Sequence, residues 1–183
     1  TMASIIGLAA DACEKVCAEA GCVAANFNSP EQTVISGSFE SVEKACRLAE
    51  SSGAKRAIPL KVGGAFHSPL MKDAEDGLKQ ALNATLIKQP TACFIPNVTA
   101  EPANNEEIIR QLLAEQLTNP VRWVKSMNSA EHAGVTEFIE IGPGRVLKGL
   151  ARKINSNFIV YTTEKIENLE NLKPLFEEVG NAS

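Results

Sequence analysis

Three absences narrow the class of protein that this sequence encodes. No run of 18 or more apolar residues occurs, so the sequence predicts no transmembrane helix. The 18 basic residues do not exceed the 22 acidic ones, which argues against nucleic-acid binding because phosphates require a basic surface. The first residues also lack the basic stretch of a secretory signal peptide. A composition with 44% hydrophobic residues is typical of a soluble globular protein, which we expect in the cytoplasm.

The cysteines lack the spacing of a metal site. Their number, five, is odd and favours reduced thiols over a disulfide framework. Cys13 and Cys17 could share a metal with Cys22, but Cys-x-x-Cys pairs and His-x-x-x-His spacing are both missing. We therefore predict no metal site and interpret the cysteines as small buried hydrophobic residues.

Apolar patterns and turn residues predict an α/β protein with two differently organised parts. In residues 1–62 the predicted order is β-α-β-β-α-β, the ferredoxin-like arrangement, with a turn at Asn28, Ser29 and Pro30. In residues 63–183 strands alternate with helices, as in a sheet with helices on its faces. Three strands are few for such a sheet, so we expect it to belong to a larger one. The predicted strands are 2–8, 22–27, 33–36, 57–62, 93–98, 138–141 and 158–162, and the helices are 10–20, 40–52, 69–84, 106–117, 121–132, 146–154 and 166–178.

The segment VGGAFHSPLM at residues 62–71 holds a candidate general base. His67 is one of two histidines and precedes Ser68, which can cap a helix that has Pro69 at its first position. Neutral imidazole is a common general base, and the small residues before His67 allow a ligand to approach closely. A partly buried loop histidine is the alternative, and these residues alone leave both interpretations open.

A nucleophile for such a base is not evident. No serine stands in a Gly-x-Ser-x-Gly elbow, and the cysteines fall within predicted helices or strands. The run IEIGPGR at residues 139–145 predicts either an anion site at a helix start or a structural turn. Lys55 and Arg56 form either a small basic contact for an acidic partner or a solvated charge pair.

Seven segments together resemble the malonyl-CoA:acyl carrier protein transacylase family. The resemblance runs nearly end to end but covers only the C-terminal part of that family's length. It implies an α/β-hydrolase-like acyltransferase core, here at 63–183, with a ferredoxin-like (βαββαβ) subdomain at 1–62. The segments are MASIIGL at 2–8, NFNSPEQTVISG at 26–37, AKRAIPL at 54–60, AFHSPLM at 65–71, NV at 97–98, QLTNPVRW at 116–123 and IGPGRVL at 141–147.

The resemblance implies a ping-pong transfer of malonyl groups in fatty-acid synthesis. A serine takes malonyl from coenzyme A as an ester and passes it to the phosphopantetheine thiol of acyl carrier protein. His67 would be the base, and the main-chain carbonyl of Gln116 would orient its ring. No cofactor is implied, because coenzyme A arrives as the thioester substrate. Phe66 would exclude α-methyl branches, Asn26 and Asn28 would lie near the site's mouth, and Lys55 and Arg56 would receive the carrier protein.

The sequence departs from the family in lacking its nucleophilic serine, its carboxylate-binding arginine and its oxyanion-hole glutamine. These residues lie upstream in the family, so we expect the chain to be inactive alone and to need the missing N-terminal part. Two alternatives stay open: a fragment of a polyketide synthase acyltransferase domain, and a non-catalytic module that binds carrier protein through its ferredoxin-like unit.

Overall fold

The computed structural model describes residues 1–170 and residue 172. The chain divides into two compact units, unit 1 at Thr1–Ser129 and unit 2 at Ala130–Ser183. The boundary expected between residues 62 and 63 is a different division and stays a prediction. None of the described helices is long and apolar enough to cross a membrane.

Unit 1 begins with a four-stranded antiparallel sheet. Its strands are β1 (Met2–Ile6), β2 (Val23–Ser29), β3 (Gln32–Ser36) and β4 (Arg56–Pro59), in the spatial order β2-β3-β1-β4. Two helices, α1 (Ala10–Ala20) and α2 (Phe39–Ser51), connect β1 to β2 and β3 to β4. The predicted β-α-β-β-α-β order is therefore present.

The spacing of the buried residues matches the repeat of each strand or helix, which explains why these segments pack together. In β1, Ala3 and Ile5 point to the same face and are fully buried against the two helices. On α1 the buried residues recur with helical spacing, which gives the helix one apolar face. Ser38 caps α2 by accepting the amide of Ser41 at 3.1 Å. The buried residues that form the apolar face of α1 are Cys13, Val16, Cys17 and Ala20.

Three predicted strand ends in this sheet were wrong, and one of them is the end of β4, which was expected over residues 57–62 but stops at Pro59. The strand expected over residues 2–8 ends at Ile6 because Gly7 adopts a left-handed φ of +83°. The predicted turn at Asn28, Ser29 and Pro30 lies further along the chain, since β2 continues through Ser29 and turns at Pro30 and Glu31. Two register shifts in the pairing of β2 with β3 accompany this extension.

The remaining regular elements of unit 1 are helices. The predicted helix 69–84 consists of a short 3-10 turn, Pro69–Met71, followed by α3 (Lys72–Asn83). Next come α4 (Glu106–Glu115) and α5 (Trp123–His132), whose last residues belong to unit 2. The strand predicted at residues 93–98 was wrong: only a single bridge joins Phe94 to Ala103. Pro96, which lacks an amide donor, interrupts that segment.

Unit 2 contains two parallel strands among the described residues, β5 (Glu137–Glu140) and β6 (Ile159–Thr162). Helix α6 (Val146–Ile154) connects them, as a parallel pair requires. The rings of Phe138 and Phe158 meet edge to face with centroids 5.1 Å apart. A last helix, α7, covers Ile166–Glu170. The predicted continuation of this helix at residue 171 and at residues 173–178 lies outside the described residues.

Candidate active site

The loop that carries His67 is held by the buried side chain of Ser68. The Ser68 hydroxyl donates to the carbonyl of Ala65 at 2.6 Å and accepts the amide of Leu70 at 3.3 Å. Only 1% of Ser68 is exposed, so water does not compete for these hydrogen bonds. With Pro69 at the first helical position, Ser68 fixes the start of the 3-10 turn that follows His67.

His67 itself has a left-handed backbone conformation. Its φ is +58°, a region that costs a non-glycine residue about 1–2 kcal/mol. Such a conformation persists only where the surroundings impose it, and it is concentrated at functional sites. The flanking Ser68 contacts provide that constraint and leave the half-buried imidazole projecting from a rigid loop.

The imidazole contacts the chain at the end of α4. Nδ1 of His67 lies 2.6 Å from the main-chain carbonyl oxygen of Gln116. A carbonyl can only accept, so this contact assigns the hydrogen of the neutral ring to Nδ1. Nε2 then carries the lone pair and can take a proton from another group. The catalytic roles of His67 and Gln116 remain predictions.

The side chain of Gln116 is engaged away from the imidazole. Its Oε1 accepts from Nδ2 of Asn97 at 2.9 Å, and its Nε2 donates to the carbonyl of Leu113 at 3.1 Å. These bonds hold Gln116 immediately after the end of α4, where its main-chain carbonyl contacts His67. Sequence reasoning assigned Asn97 no role, and its only signal was its place in a family-like segment.

The chain that follows Gln116 lies along the edge of β2 beside Asn26. The amide of Val121 donates to the carbonyl of Ala25 at 2.8 Å, and the amide of Phe27 donates to the carbonyl of Val121 at 2.9 Å. These two bonds flank Asn26, which the structure therefore brings next to the 116–121 segment. Asn28 lies two residues further along the same strand, and both asparagines are half-buried.

The ring of Phe66 lies close to Gly64, the nearer of the two glycines that precede it. A Cβ atom added to Gly64 would be 3.6 Å from Cζ of Phe66, so a side chain at position 64 would be in van der Waals contact with the ring. The side chain is 39% exposed although it is large and apolar. An exposed aromatic ring beside His67 is available to contact a substrate, and its predicted selectivity role is untested.

Lys55 and Arg56 lie at the start of β4 and are both exposed. Nζ of Lys55 is 3.4 Å from Oε2 of Glu31, and the two side chains are 70% and 68% exposed. An ion pair this exposed contributes little stability. Among the described residues, no hydrogen bond or ion pair links either basic side chain to His67. Their part in binding a carrier protein stays a prediction.

The turn between β5 and α6 is occupied by a carboxylate of the chain itself. Oε1 and Oε2 of Glu140 accept the amides of Leu147 and Lys148, both at 2.9 Å. Glu140 is 8% exposed and sits where an external anion would bind to these amides. The contacts therefore favour the structural interpretation of the IGPGR segment.

The cysteines do not supply a metal site in the described part of the chain. No group of three or more His, Cys, Asp or Glu side chains there is placed to hold a metal ion. Cys13, Cys17 and Cys22 are buried free thiols of the unit 1 core. Hydrogen bonds with Cys13 and Cys22, together with burial, raise the pKa of Cys17, which keeps this group a neutral thiol.

Comparison with known proteins identifies the kind of molecule to which this arrangement is similar. Residues 1–165 match the family model described as the acyl transferase domain. The chain is 45% identical over 187 residues to the malonyl CoA-acyl carrier protein transacylase of Bacillus subtilis strain 168, covering 99% of the chain and 59% of that protein. The corresponding protein of Escherichia coli K12 is 43% identical over 157 residues, which cover 84% of the chain and 51% of that protein.

Solved structures give the same result. An acyl-carrier-protein S-malonyltransferase from Burkholderia pseudomallei 1710b superposes with a TM-score of 0.90 at 40% identity, over 93% of the chain and 57% of that structure. A type II PKS acyl-carrier protein complex with its malonyl-transacylase matches with a TM-score of 0.89 at 37% identity, over 92% and 56%. The chain thus spans between one half and three fifths of the length of these relatives.

Proposed function

Because the chain belongs to the acyl transferase domain family, we propose that it is the histidine-bearing part of a malonyl-CoA:acyl carrier protein transacylase. The serine nucleophile would come from a segment that this sequence does not contain. That serine attacks the malonyl thioester, forms a malonyl ester and releases coenzyme A. The phosphopantetheine thiol of acyl carrier protein then attacks the ester and restores the serine.

The observation that carries this proposal is the 2.6 Å contact between Nδ1 of His67 and the Gln116 carbonyl. It leaves Nε2 of His67 as the base that takes the serine proton during attack. The resulting imidazolium, held by the Gln116 carbonyl, returns that proton to the departing coenzyme A thiolate. In the second half-reaction Nε2 takes the proton of the carrier thiol and returns it to the serine. Coenzyme A enters as a thioester substrate, and the proposal needs no cofactor.

The proposal extends to substrate and partner contacts. Phe66, next to the base, would narrow the malonyl pocket against α-methyl branches, and Asn26 and Asn28 would line its mouth. The exposed side chains of Lys55 and Arg56 would receive the acidic carrier protein. This partner assignment is supported by a similar solved structure, a complex of a malonyl-transacylase with a type II PKS acyl-carrier protein. We propose the cytoplasm as the location of this reaction.

We also propose a finer fold assignment. The strand order β2-β3-β1-β4 with two crossover helices supports a ferredoxin-like subdomain in residues 1–62. The parallel pair β5 and β6 supports membership of residues 63–183 in a larger α/β-hydrolase-like core.

A chimera tests the catalytic proposal. The N-terminal part of the Bacillus subtilis relative that precedes the matched region is joined to Thr1 of this chain. We expect this chimera to transfer malonyl from malonyl-CoA to holo-acyl carrier protein. His67→Ala in the chimera should lower the transfer rate on the order of 100-fold or more, because general-base catalysis is lost. Initial rates of malonyl-carrier formation, followed by mass spectrometry, provide the measurement.

The matched control is His132→Ala in the same chimera, which removes the other histidine and should leave the rate unchanged. Transfer at the parental rate by the His67→Ala chimera would contradict the proposal and favour a non-catalytic carrier-binding module. Initial transfer rates to carrier proteins of fatty-acid and polyketide systems are also compared, and the preferred carrier distinguishes a fatty-acid transacylase from a polyketide synthase acyltransferase.

A further inference from the structure

A buried carboxylate lies near the proposed base but has no part in the mechanism above. Glu75, in the first turn of α3, is only 4% exposed. Its Oε1 pairs with Nζ of Lys72 at 3.0 Å and with Nζ of Lys79. Its Oε2 accepts the hydroxyl of Thr118. A charge buried this far is retained only when it is paired and hydrogen-bonded, as it is here.

Thr118 belongs to the turn that presents the Gln116 carbonyl. It lies two residues after Gln116, and its oxygen also accepts Nδ2 of Asn119 at 3.2 Å. An ionised carboxylate can only accept, so the Thr118 hydroxyl donates to Glu75. A hydrogen bond to a charged acceptor is roughly twice as strong as a neutral one. The turn after α4 is thus attached to α3 by a charge-assisted, partly buried hydrogen bond.

The hydrogen bond between His67 and Gln116 and the one between Glu75 and Thr118 join the same pair of chain segments. One segment runs from His67 through the 3-10 turn into Glu75 on α3, and the other is the turn from Gln116 to Thr118. The contact between His67 and Gln116 lies at one end of this pair, and the contact between Glu75 and Thr118 lies at the other. Movement of the turn away from α3 would lengthen the hydrogen bond to the imidazole.

We propose that Glu75 and Thr118 are positioning residues that hold the Gln116 carbonyl against Nδ1 of His67 and so keep Nε2 free to accept a proton. This inference rests on the proposed function of His67 as the base. Hydrogen bonds from Lys79 and Thr118 lower the pKa of Glu75 to about 2, so its carboxylate is a charged acceptor at neutral pH.

The experiment measures which ring nitrogen of His67 carries the hydrogen. The full 183-residue chain is labelled with 15N-histidine, and the ring nitrogen shifts are recorded by NMR at a pH where the imidazole is neutral. In Thr118→Val, which keeps the side-chain shape but removes the donor, the ratio of Nδ1-H to Nε2-H forms should fall roughly five-fold. His132 serves as the internal reference, and a His132→Gln sample assigns the signals.

Conservative variants separate positioning from general loosening of the fold. Thr118→Ser retains the hydroxyl and should keep the original ratio. Thr85→Val removes an exposed hydroxyl that donates to the carbonyl of Ala81, and it should also leave His67 unchanged. Glu75→Gln replaces the charged acceptor by a neutral one and should shift the ratio in the same direction as Thr118→Val, by less.

An unchanged ratio in folded Thr118→Val overturns the inference, and so does a Thr118→Ser ratio that falls as far as that of Thr118→Val. If Thr118→Val does not fold, an unchanged ratio in Glu75→Gln overturns it. The readout does not depend on transfer activity. An inactive parental chimera with the expected tautomer shifts would therefore contradict the proposed function alone, whereas an active chimera with no shifts would contradict this inference alone.

Discussion

At the residue scale, the candidate site depends on residues whose conformations are held by hydrogen bonds from their neighbours rather than by their own backbone preferences. His67 has a left-handed φ of +58° that its side chain disfavours, and Ser68, buried beside it, supplies the hydrogen bonds that hold the loop. The imidazole is then oriented by a carbonyl whose own residue is held by Asn97. Strain at His67 therefore indicates a position selected for geometry.

Glu75 is expected to make stability depend on pH in the acid range. Its pKa is lowered from 4.5 to about 2, so its stabilising effect is present above pH 4.5 and is lost as the pH falls toward 2. Glu75→Gln should reduce the free energy of unfolding at pH 7 by about 1–3 kcal/mol, and the difference from the parent should shrink between pH 4.5 and 2. Urea unfolding at pH 7, 4.5 and 3 measures both effects.

The matched control for this prediction is Glu107→Gln on α4, whose parent side chain is 85% exposed. It should change the free energy of unfolding by less than about 0.5 kcal/mol at each pH. If Glu75→Gln has the same pH dependence as the parent chain, the charge of Glu75 does not contribute to folding as its contacts indicate.

At the element scale, helices and strands were largely predictable because their signals are local. Helices α1 and α6 were predicted with their observed bounds, and Ser68 was the predicted cap of the helical turn that begins at Pro69. Errors arose where a single backbone feature decided the outcome. Gly7 ended β1 early, and Pro96 prevented the strand predicted at 93–98.

Two glycines with opposite environments provide a test at this scale. Gly7 has a φ of +83°, and a Cβ atom there would lie 2.5 Å from Cγ of Lys55. Gly7→Ala should lower the free energy of unfolding by about 1–3 kcal/mol, from backbone strain and the close contact. Gly77, inside α3, has no atom within 4 Å of such a Cβ, so Gly77→Ala should raise it by about 0.5–1 kcal/mol. Thermal and urea unfolding of the two variants give the comparison.

The expected result is that the free energy of unfolding changes with opposite signs in the two alanine variants. Equal destabilisation by both would show that α3 does not tolerate a side chain at position 77. A neutral Gly7→Ala would show that the end of β1 can adjust its backbone without cost, contrary to its left-handed conformation.

At the scale of the whole molecule, the resemblance stated from seven segments is confirmed by the family match over residues 1–165. The chain nevertheless spans 59% of the Bacillus relative, and its sequence contains no Gly-x-Ser-x-Gly elbow. The candidate site in unit 1 therefore holds the proposed base, His67, and the Gln116 carbonyl that contacts it, and the proposed reaction needs a serine from elsewhere.

The proposed contact of Lys55 and Arg56 with acyl carrier protein is tested by charge reversal. Lys55→Glu with Arg56→Glu should weaken the affinity of the chain for acyl carrier protein at least ten-fold, and the loss should shrink as salt is added. Lys44→Glu with Arg47→Glu on α2 changes the net charge by the same amount and should have a much smaller effect. Binding is measured by titration calorimetry at low and physiological salt. Equal losses in the two pairs would indicate a general charge effect rather than a docking site.

The sequence by itself determined most of the elements and their order, because caps, glycine positions and apolar periodicity act over a few neighbouring residues, and it indicated the family through the resemblance of seven segments. Only the tertiary structure decided which side chains meet across long separations. Gln116 contacts His67 from 49 residues away, and Thr118 contacts Glu75 from 43 residues away. The first contact was expected only through resemblance, and the second had no sequence signal. Such hydrogen bonds depend on the path of every intervening loop, which local preferences do not specify.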